Sequence, residues 1–116
     1  MKRLTFEPGK RLHRPAEFRA VGRRGRKLRD AYFTLSVLVN HDGCARLGLA
    51  IATRIFGTAV ARNRIKRLAR ESFRLTQYDL PAVDVTVAAR DAARHARPEE
   101  LRASLAKHWK NVAFSW

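Results

Sequence analysis

The chain has 116 residues, with 25 Lys and Arg against 10 Asp and Glu, and a formal net charge of +15. This length suits one domain spanning residues 1–116 with a real core, and a hydrophobic content of 46% excludes a disordered basic tail. Charge self-repulsion opposes a compact chain, so the composition predicts a polyanionic partner. No apolar run approaches the roughly 20 residues that span a bilayer, so we expect no membrane partner and no signal peptide. The single cysteine, Cys44, cannot form an internal disulfide, which fits the cytoplasm.

The first part of the chain predicts a mobile arm and a short helix. Residues 1–14 are basic and contain a Pro-Gly breaker, so we expect an extended, partly mobile arm. Pro15 suits the first turn of a helix over residues 16–21. Gly22 and Gly25 should end that helix, and a strongly cationic loop follows.

Residues 32–39 alternate between apolar and more polar side chains, which is typical of a β-strand. Tyr32, Thr34 and Ser36 should share the more polar face. An Asp-Gly turn separates this segment from a second apolar segment at residues 46–52, so we predict an antiparallel hairpin. The pattern leaves room for one further short strand whose place the sequence does not fix.

The remaining elements complete an α-β-β-α-β-α order. Residues 53–58 form a connector, a basic helix runs to about Thr76, and alternating valines predict a strand from Val83. Pro98 begins a last helix. This order predicts a single-domain α+β sandwich with a short, mainly antiparallel sheet. Helices should cover one sheet face, and the other should line a groove beside the first helix.

The basic helix has an apolar stripe and a cationic flank. Arg62, Lys66 and Arg70 step by four residues along the flank, and Glu71 is the one acid among them. Like charges at this spacing repel by a few tenths of a kcal/mol each. The alternative is an ordinary solvated helix face, but the basic composition of the whole chain favours an anionic partner.

No catalytic constellation stands out in the sequence. The four histidines are scattered without metal-ligand spacing, the acids are dispersed, and no Gly-rich phosphate loop is present. Arginine forks suit phosphate groups. Phe18 and Tyr32, flanked by cations, suit stacking on unpaired bases at about 1–3 kcal/mol per base, with core packing as the alternative for Phe18. The residues therefore predict a nucleic-acid binder.

The segment Ala61-Arg62-Asn63-Arg64-Ile65-Lys66-Arg67, followed by residues 70–74, resembles the signature helix of the bacterial ribonuclease P protein subunit. The resemblance covers about residues 11–112 and implies that family's left-handed βαβ crossover. It further implies that a catalytic RNA removes the 5′ leader of precursor tRNA with Mg²⁺ bound mainly by the RNA, while the protein broadens substrate recognition. One protein per RNA is expected, without an obligate protein partner, and the protein alone should be inactive.

The resemblance assigns two sets of contacts. The residues expected to contact the catalytic RNA are Arg62, Asn63, Arg64, Lys66, Arg67 and Arg70. The residues expected to face the leader groove are Phe18, Tyr32, Thr34, Ser36, Arg54 and Arg90. On a helical wheel Arg64 lies on the opposite flank from Lys66, so it either reaches RNA from the other edge or braces the sheet. The family often has a second aromatic where this chain has Gly22, so we expect leader affinity here to depend more on charge.

Three other functions share some of these features. A basic ribosomal or ribosome-assembly protein would have similar size and charge. A duplex DNA-binding protein would place the basic helix in the major groove, but such helices usually belong to a helix-turn-helix and not to a segment between strands. A self-sufficient nuclease would need a metal or acid–base cluster.

Overall fold

The structure is a computed structural model that describes residue 12 and residues 14–116. Most of the arm predicted for residues 1–14 lies outside these residues. The helices are α1 (Pro15–Arg24), α2 (Thr53–Phe56), α3 (Ala59–Thr76) and α4 (Pro98–Ser115). The strands are β1 (Arg26–Arg29), β2 (Phe33–Val39), β3 (Arg46–Ala50) and β4 (Val83–Ala89). Short 3₁₀ turns at Gln77–Asp79 and Asp91–His95 flank β4.

Helix α1 is longer than predicted because Gly22 does not end it. Proline occupies the first turn, and the Glu17 carboxylate accepts a hydrogen bond from the Arg14 amide at 3.2 Å. Gly22 is exposed, and a side chain there would meet nothing within 4 Å, so it is tolerated inside the helix. The stop comes at Gly25, where an added Cβ would lie 2.3 Å from the Val21 carbonyl oxygen.

The four strands are ordered β1-β2-β4-β3. The predicted hairpin is therefore wrong: β2 pairs with β4, and β3 pairs with β4 in parallel instead of with β2. The chain does turn between β2 and β3, where Gly43 has a φ of 79°. However, β4 fills the space between them. The further short strand is β1, formed by part of the predicted cationic loop and paired antiparallel with β2.

Helices α3 and α4 cover one face of the sheet and form the main core. The strands contribute a row of fully buried side chains, among them Phe33, Leu35 and Val85. Phe73 of α3 meets Trp109 of α4 edge to face, with ring centroids 5.8 Å apart. The predicted α+β architecture is confirmed, and the crossover from β3 to its parallel neighbour β4 runs through α3.

The opposite sheet face carries α1. Arg46 projects there from β3 and pairs with Glu17 of α1 at 3.0 Å and with Asp84 of β4 at 2.8 Å. Asp84 is 7% exposed, so Arg46 neutralises a charge that has little access to water. Two residues along β3, a Cβ added at Gly48 would lie 2.6 Å from the Phe18 ring. The ion pairs and this close approach fix α1 on the sheet.

Candidate nucleic-acid interface

Helix α3 presents its cations because the opposite side is committed to the core. The Thr58 hydroxyl accepts a hydrogen bond from the Ala61 amide at 3.1 Å and so caps the first turn. Ile65, Ala69 and Phe73 form the buried stripe, one residue in every turn. This stripe sets the rotation of the helix about its axis and leaves the basic flanks accessible.

Arg62, Lys66 and Arg70 form one flank of α3, where Arg62 and Lys66 are partly buried and Arg70 is exposed. The Arg62 Nε atom donates to the Ile51 carbonyl oxygen at 2.7 Å, so this arginine also joins α3 to the segment after β3. Partial burial lowers the pKa of Lys66, and the charges of Arg62 and Arg70 lower it further. Three cations held this close favour an anion among them.

Asn63 and Arg67 lie on the exposed crest of α3 next to that flank. Glu71 does not neutralise them, because its carboxylate is bonded to Arg74, whose Nε donates at 3.1 Å. Arg64 is exposed on the other flank and borders a cavity near the start of α4. It therefore does not brace the sheet. RNA contact from this other flank, the other role expected for Arg64, is taken up as a proposal below.

The α1 face of the sheet holds Thr34 and Ser36, as the strand pattern predicts. Sequence reasoning missed Lys27 of β1, whose Nζ donates to the Ser36 hydroxyl at 3.1 Å and to the Gly22 carbonyl at 3.2 Å. The register that pairs Lys27 with Ser36 places both on this face. Since β1 was not predicted as a strand, the pattern gave no signal for the position of this cation.

The structure does not bring Tyr32 together with Thr34 and Ser36. The Asp30 carboxylate accepts hydrogen bonds from the amides of Tyr32 and Phe33 at 2.9 and 2.8 Å, and this turn delays the strand until Phe33. The Tyr32 ring packs against the core on the α4 side. Its hydroxyl donates to the Glu100 carboxylate at 2.7 Å, and this bond, with the nearby negative charge, raises the pKa of Tyr32.

Arg54 and Arg90 are both exposed and stand on separate elements. Arg54 lies in the last turn of α2, close to the start of the basic helix. Arg90 follows β4, and its Nη1 donates to the Asp30 carbonyl oxygen at 2.5 Å. Its amide donates to the Tyr32 carbonyl at 2.8 Å. Arg90 is thus grouped with Tyr32 at one end of the sheet.

One serine–histidine–aspartate group is structural. The Asp30 carboxylate accepts a hydrogen bond from Ser104 and lies 3.2 Å from the His108 Nε2 atom. Burial raises the pKa of Asp30, but the bonds from Ser104 and the Phe33 and Tyr32 amides, with the nearby His108 ring, lower it overall. Because the serine bonds the carboxylate and not the imidazole, the group does not activate a nucleophile. It ties α4 to the loop before β2.

Within residue 12 and residues 14–116, no three His, Cys, Asp or Glu side chains converge in a way that could hold a metal ion. No helix in this part of the chain is long and apolar enough to cross a membrane.

Known proteins resemble this chain over almost its whole length. The family model described as Ribonuclease P matches residues 6–113. A ribonuclease P protein component from Thioalkalivibrio sulfidiphilus is 44% identical over 108 residues, covering 93% of this chain and 90% of the relative. The RNase P protein of Staphylococcus aureus superposes with a TM-score of 0.82 at 28% identity, over 90% of this chain and 95% of that chain. The RNase P protein of Thermotoga maritima gives 0.79 at 27% identity, over 88% and 96%. The chain therefore belongs to the ribonuclease P protein family.

Proposed function

We propose that this protein is the accessory subunit of ribonuclease P, binding the catalytic RNA through α3 and the single-stranded 5′ leader of precursor tRNA through the α1 face of the sheet. The observation that carries the proposal is the cationic surface of α3. Its one acid, Glu71, is bonded to Arg74, so the surrounding positive charge is left for an external anion. We propose one protein per RNA, acting in the cytoplasm.

The RNA contacts are assigned to the two exposed sides of α3. Arg62, Lys66 and Arg70 form a line of cations at helical spacing, which matches successive phosphates better than an isolated charge does. Asn63 and Arg67 extend that line over the crest, and Arg64 adds a contact on the far flank. Each phosphate neutralised releases counterions, so binding should weaken steeply with salt.

The leader contacts are assigned to the α1 face and its two ends. Phe18 lies against Gly48, partly exposed, and offers a ring face for an unpaired base. Thr34 is partly exposed and supplies a polar group beside it. Ser36 is only 5% exposed, so we assign it an indirect role, in which its hydroxyl holds the Lys27 charge. We keep Tyr32, Arg54 and Arg90 in this proposal, with a base stacking on the Tyr32 ring while Glu100 holds its hydroxyl.

The chemistry of leader removal is assigned to the RNA. The protein's acids are dispersed or committed, as with Asp84 on Arg46 and Asp30 on Ser104, so they are poor candidates for holding catalytic Mg²⁺. We propose that Mg²⁺ is bound mainly by the RNA and that the protein positions the substrate. In the ribonucleoprotein, endonucleolytic cleavage then gives the mature tRNA 5′ end.

A cleavage assay at low Mg²⁺ tests the proposal. Precursor tRNA is incubated with the protein, with a bacterial ribonuclease P RNA, and with both. Cleavage at the mature 5′ end should be much faster with both, and absence of stimulation would refute the assignment. Arg67→Ala should weaken RNA binding and lower the salt slope by about one, while Lys107→Ala, an exposed cation on α4, should change neither.

A second assay isolates the leader contact. Phe18→Ala should weaken binding of precursor tRNA by the value of one stacked base, about 1–3 kcal/mol, and leave binding of mature tRNA unchanged. Phe114→Ala is the matched control, because Phe114 is 91% exposed at the end of α4. Equal losses for precursor and mature tRNA would remove Phe18 from the leader site.

A further inference from the structure

An open cavity of about 430 Å³ lies beside the Arg64 flank of α3. Its floor is apolar and comes from four separate parts of the chain: Phe56 after β3, Leu68 of α3, Ala93 and Ala96 before α4, and Leu101 of α4. The volume falls within the roughly 300–1,000 Å³ of sites that hold small organic groups. None of the contacts proposed above uses this floor.

The rim of the cavity is strongly cationic. Arg64 and Arg67 border it from α3, and Arg94 and Arg102 border it from the other side. Within the described part of the chain, no carboxylate forms a salt bridge with any of these four arginines. Glu71 also lines the cavity, but its charge is shared with Arg74. The site therefore combines an apolar floor with a rim of four arginines.

We infer that this cavity receives one unpaired nucleotide of the catalytic RNA, with its base on the apolar floor and its phosphate on the arginine rim. The inference rests on the proposed function and deepens it. A nucleotide has both required groups. Its flat base costs little free energy to remove from water, and its phosphate is recognised by the paired N–H groups of arginine. Arg67 belongs both to the rim and to the exposed crest of α3, so RNA bound along that crest reaches the cavity directly.

The charge and shape disfavour other occupants. Bases of a regular duplex are stacked and paired and do not enter a pocket, so the nucleotide must come from a loop, bulge or junction. A second copy of this chain would bring another net charge of +15 toward a cationic rim. The rim thus selects an anion, and the floor selects one with an apolar flat group.

Filling the cavity tests the inference. Ala96→Phe places a ring where the base would sit, and Ala103→Phe adds the same ring on an exposed position of α4 outside the cavity. Ala96→Phe should weaken binding of the catalytic RNA about tenfold without changing the salt slope, because no phosphate contact is lost. Ala103→Phe should bind like the unmodified protein. Arg102→Gln should lower the slope by about one.

Cross-linking supplies a measurement that does not depend on how the filled variant folds. Ala96→Cys in a Cys44→Ser background carries an azidophenacyl group, and Ala103→Cys is its control. The Ala96 probe should cross-link the RNA at one unpaired position, mapped by primer extension. Cross-links spread over duplexes, or the same pattern from both probes, would overturn the inference. Ala96→Phe binding the RNA with the affinity of the unmodified protein would overturn it as well.

The same preparations separate this inference from the proposed function. If the unmodified protein stimulates precursor cleavage while the cavity variants behave like their controls, the cavity assignment fails and the subunit assignment stands. If the unmodified protein gives no stimulation, the subunit assignment itself fails.

Discussion

Replacing Gly48 with alanine tests how Phe18 is held against the sheet. The new Cβ would lie 2.6 and 2.8 Å from two atoms of the Phe18 ring and 3.1 Å from the Leu12 Cδ1 atom. Separations below 3 Å do not persist, so the ring must move away from β3. Overpacking of this kind costs about 1–3 kcal/mol. Alanine in place of glycine recovers about 0.5–1 kcal/mol of chain entropy.

A double-mutant cycle with Phe18→Ala isolates the clash. Gly48→Ala alone should lower the free energy of unfolding by about 0.5–2 kcal/mol. In the Phe18→Ala background the ring is gone, and the same substitution should become neutral or slightly stabilising, giving a coupling of about 1–3 kcal/mol. Urea unfolding with linear extrapolation measures each variant. Gly22→Ala is the control, since a side chain there meets nothing within 4 Å and should stabilise the exposed helix by up to about 1 kcal/mol.

One result would refute this reasoning, and a second would confine its consequence to folding. An equal cost of Gly48→Ala in both backgrounds would show that the strain lies in the backbone or at Leu12 and not at the ring. A cost confined to the Phe18-containing protein, with unchanged affinity for precursor tRNA, would show that the ring position matters for folding and not for leader binding.

Three further predictions concern the charged groups. Arg46→Met should destabilise the protein by about 3–5 kcal/mol, because it leaves the nearly buried Asp84 carboxylate without its ion pair; a urea midpoint close to that of the unmodified protein would contradict this. Arg62→Ala should lower both the melting temperature and the affinity for catalytic RNA, since Arg62 also bonds the Ile51 carbonyl, whereas Arg67→Ala should lower the affinity alone; identical melting temperatures for the two variants would remove the structural role. Asp30 has a lowered pKa in the folded protein, so its contribution to stability is present above the ordinary aspartate pKa near 4 and is lost as pH falls through the lower folded value. The stability difference from Asp30→Asn should therefore shrink below pH ~4 in acid titrations followed by urea unfolding, and a constant difference would refute the assignment.

Local sequence patterns predicted the elements that bury one face in the core and expose the other. The apolar stripe of α3 and the alternation in β2 each point to one buried face, and the structure buries both except for Val39, which is exposed at the end of β2. The cationic residues of α3 were identified for the same reason, because a helix that commits one side to the core must expose the other. The leader-site and RNA contacts themselves remain proposals.

Strand pairing could not be obtained from local pattern. β2 and β3 are joined by a short connection at residues 40–45, and sequential strands usually pair, yet both pair with β4. In the structure β4 is buried along most of its length, as a central strand should be. The alternation of Val83, Asp84 and Val85 in the sequence does not indicate this, because an edge strand would show the same pattern. The prediction that Tyr32 shares a face with Thr34 and Ser36 was wrong for a related reason. The turn at Asp30 that delays the strand is held by Ser104 of α4, which is distant in sequence.

The position of β4 in the sheet has a consequence for how the protein is made. β4 is the third of the four strands across the sheet but the last to be synthesised, and it supplies the only strand partner of β3 in the described residues. Until it emerges from the ribosome, β3 and α3 have no completed sheet to pack on. Pairing across such long stretches of sequence is slow compared with helix formation. The newly made chain therefore passes through a stage in which the basic segment that becomes α3 is exposed before its core has closed.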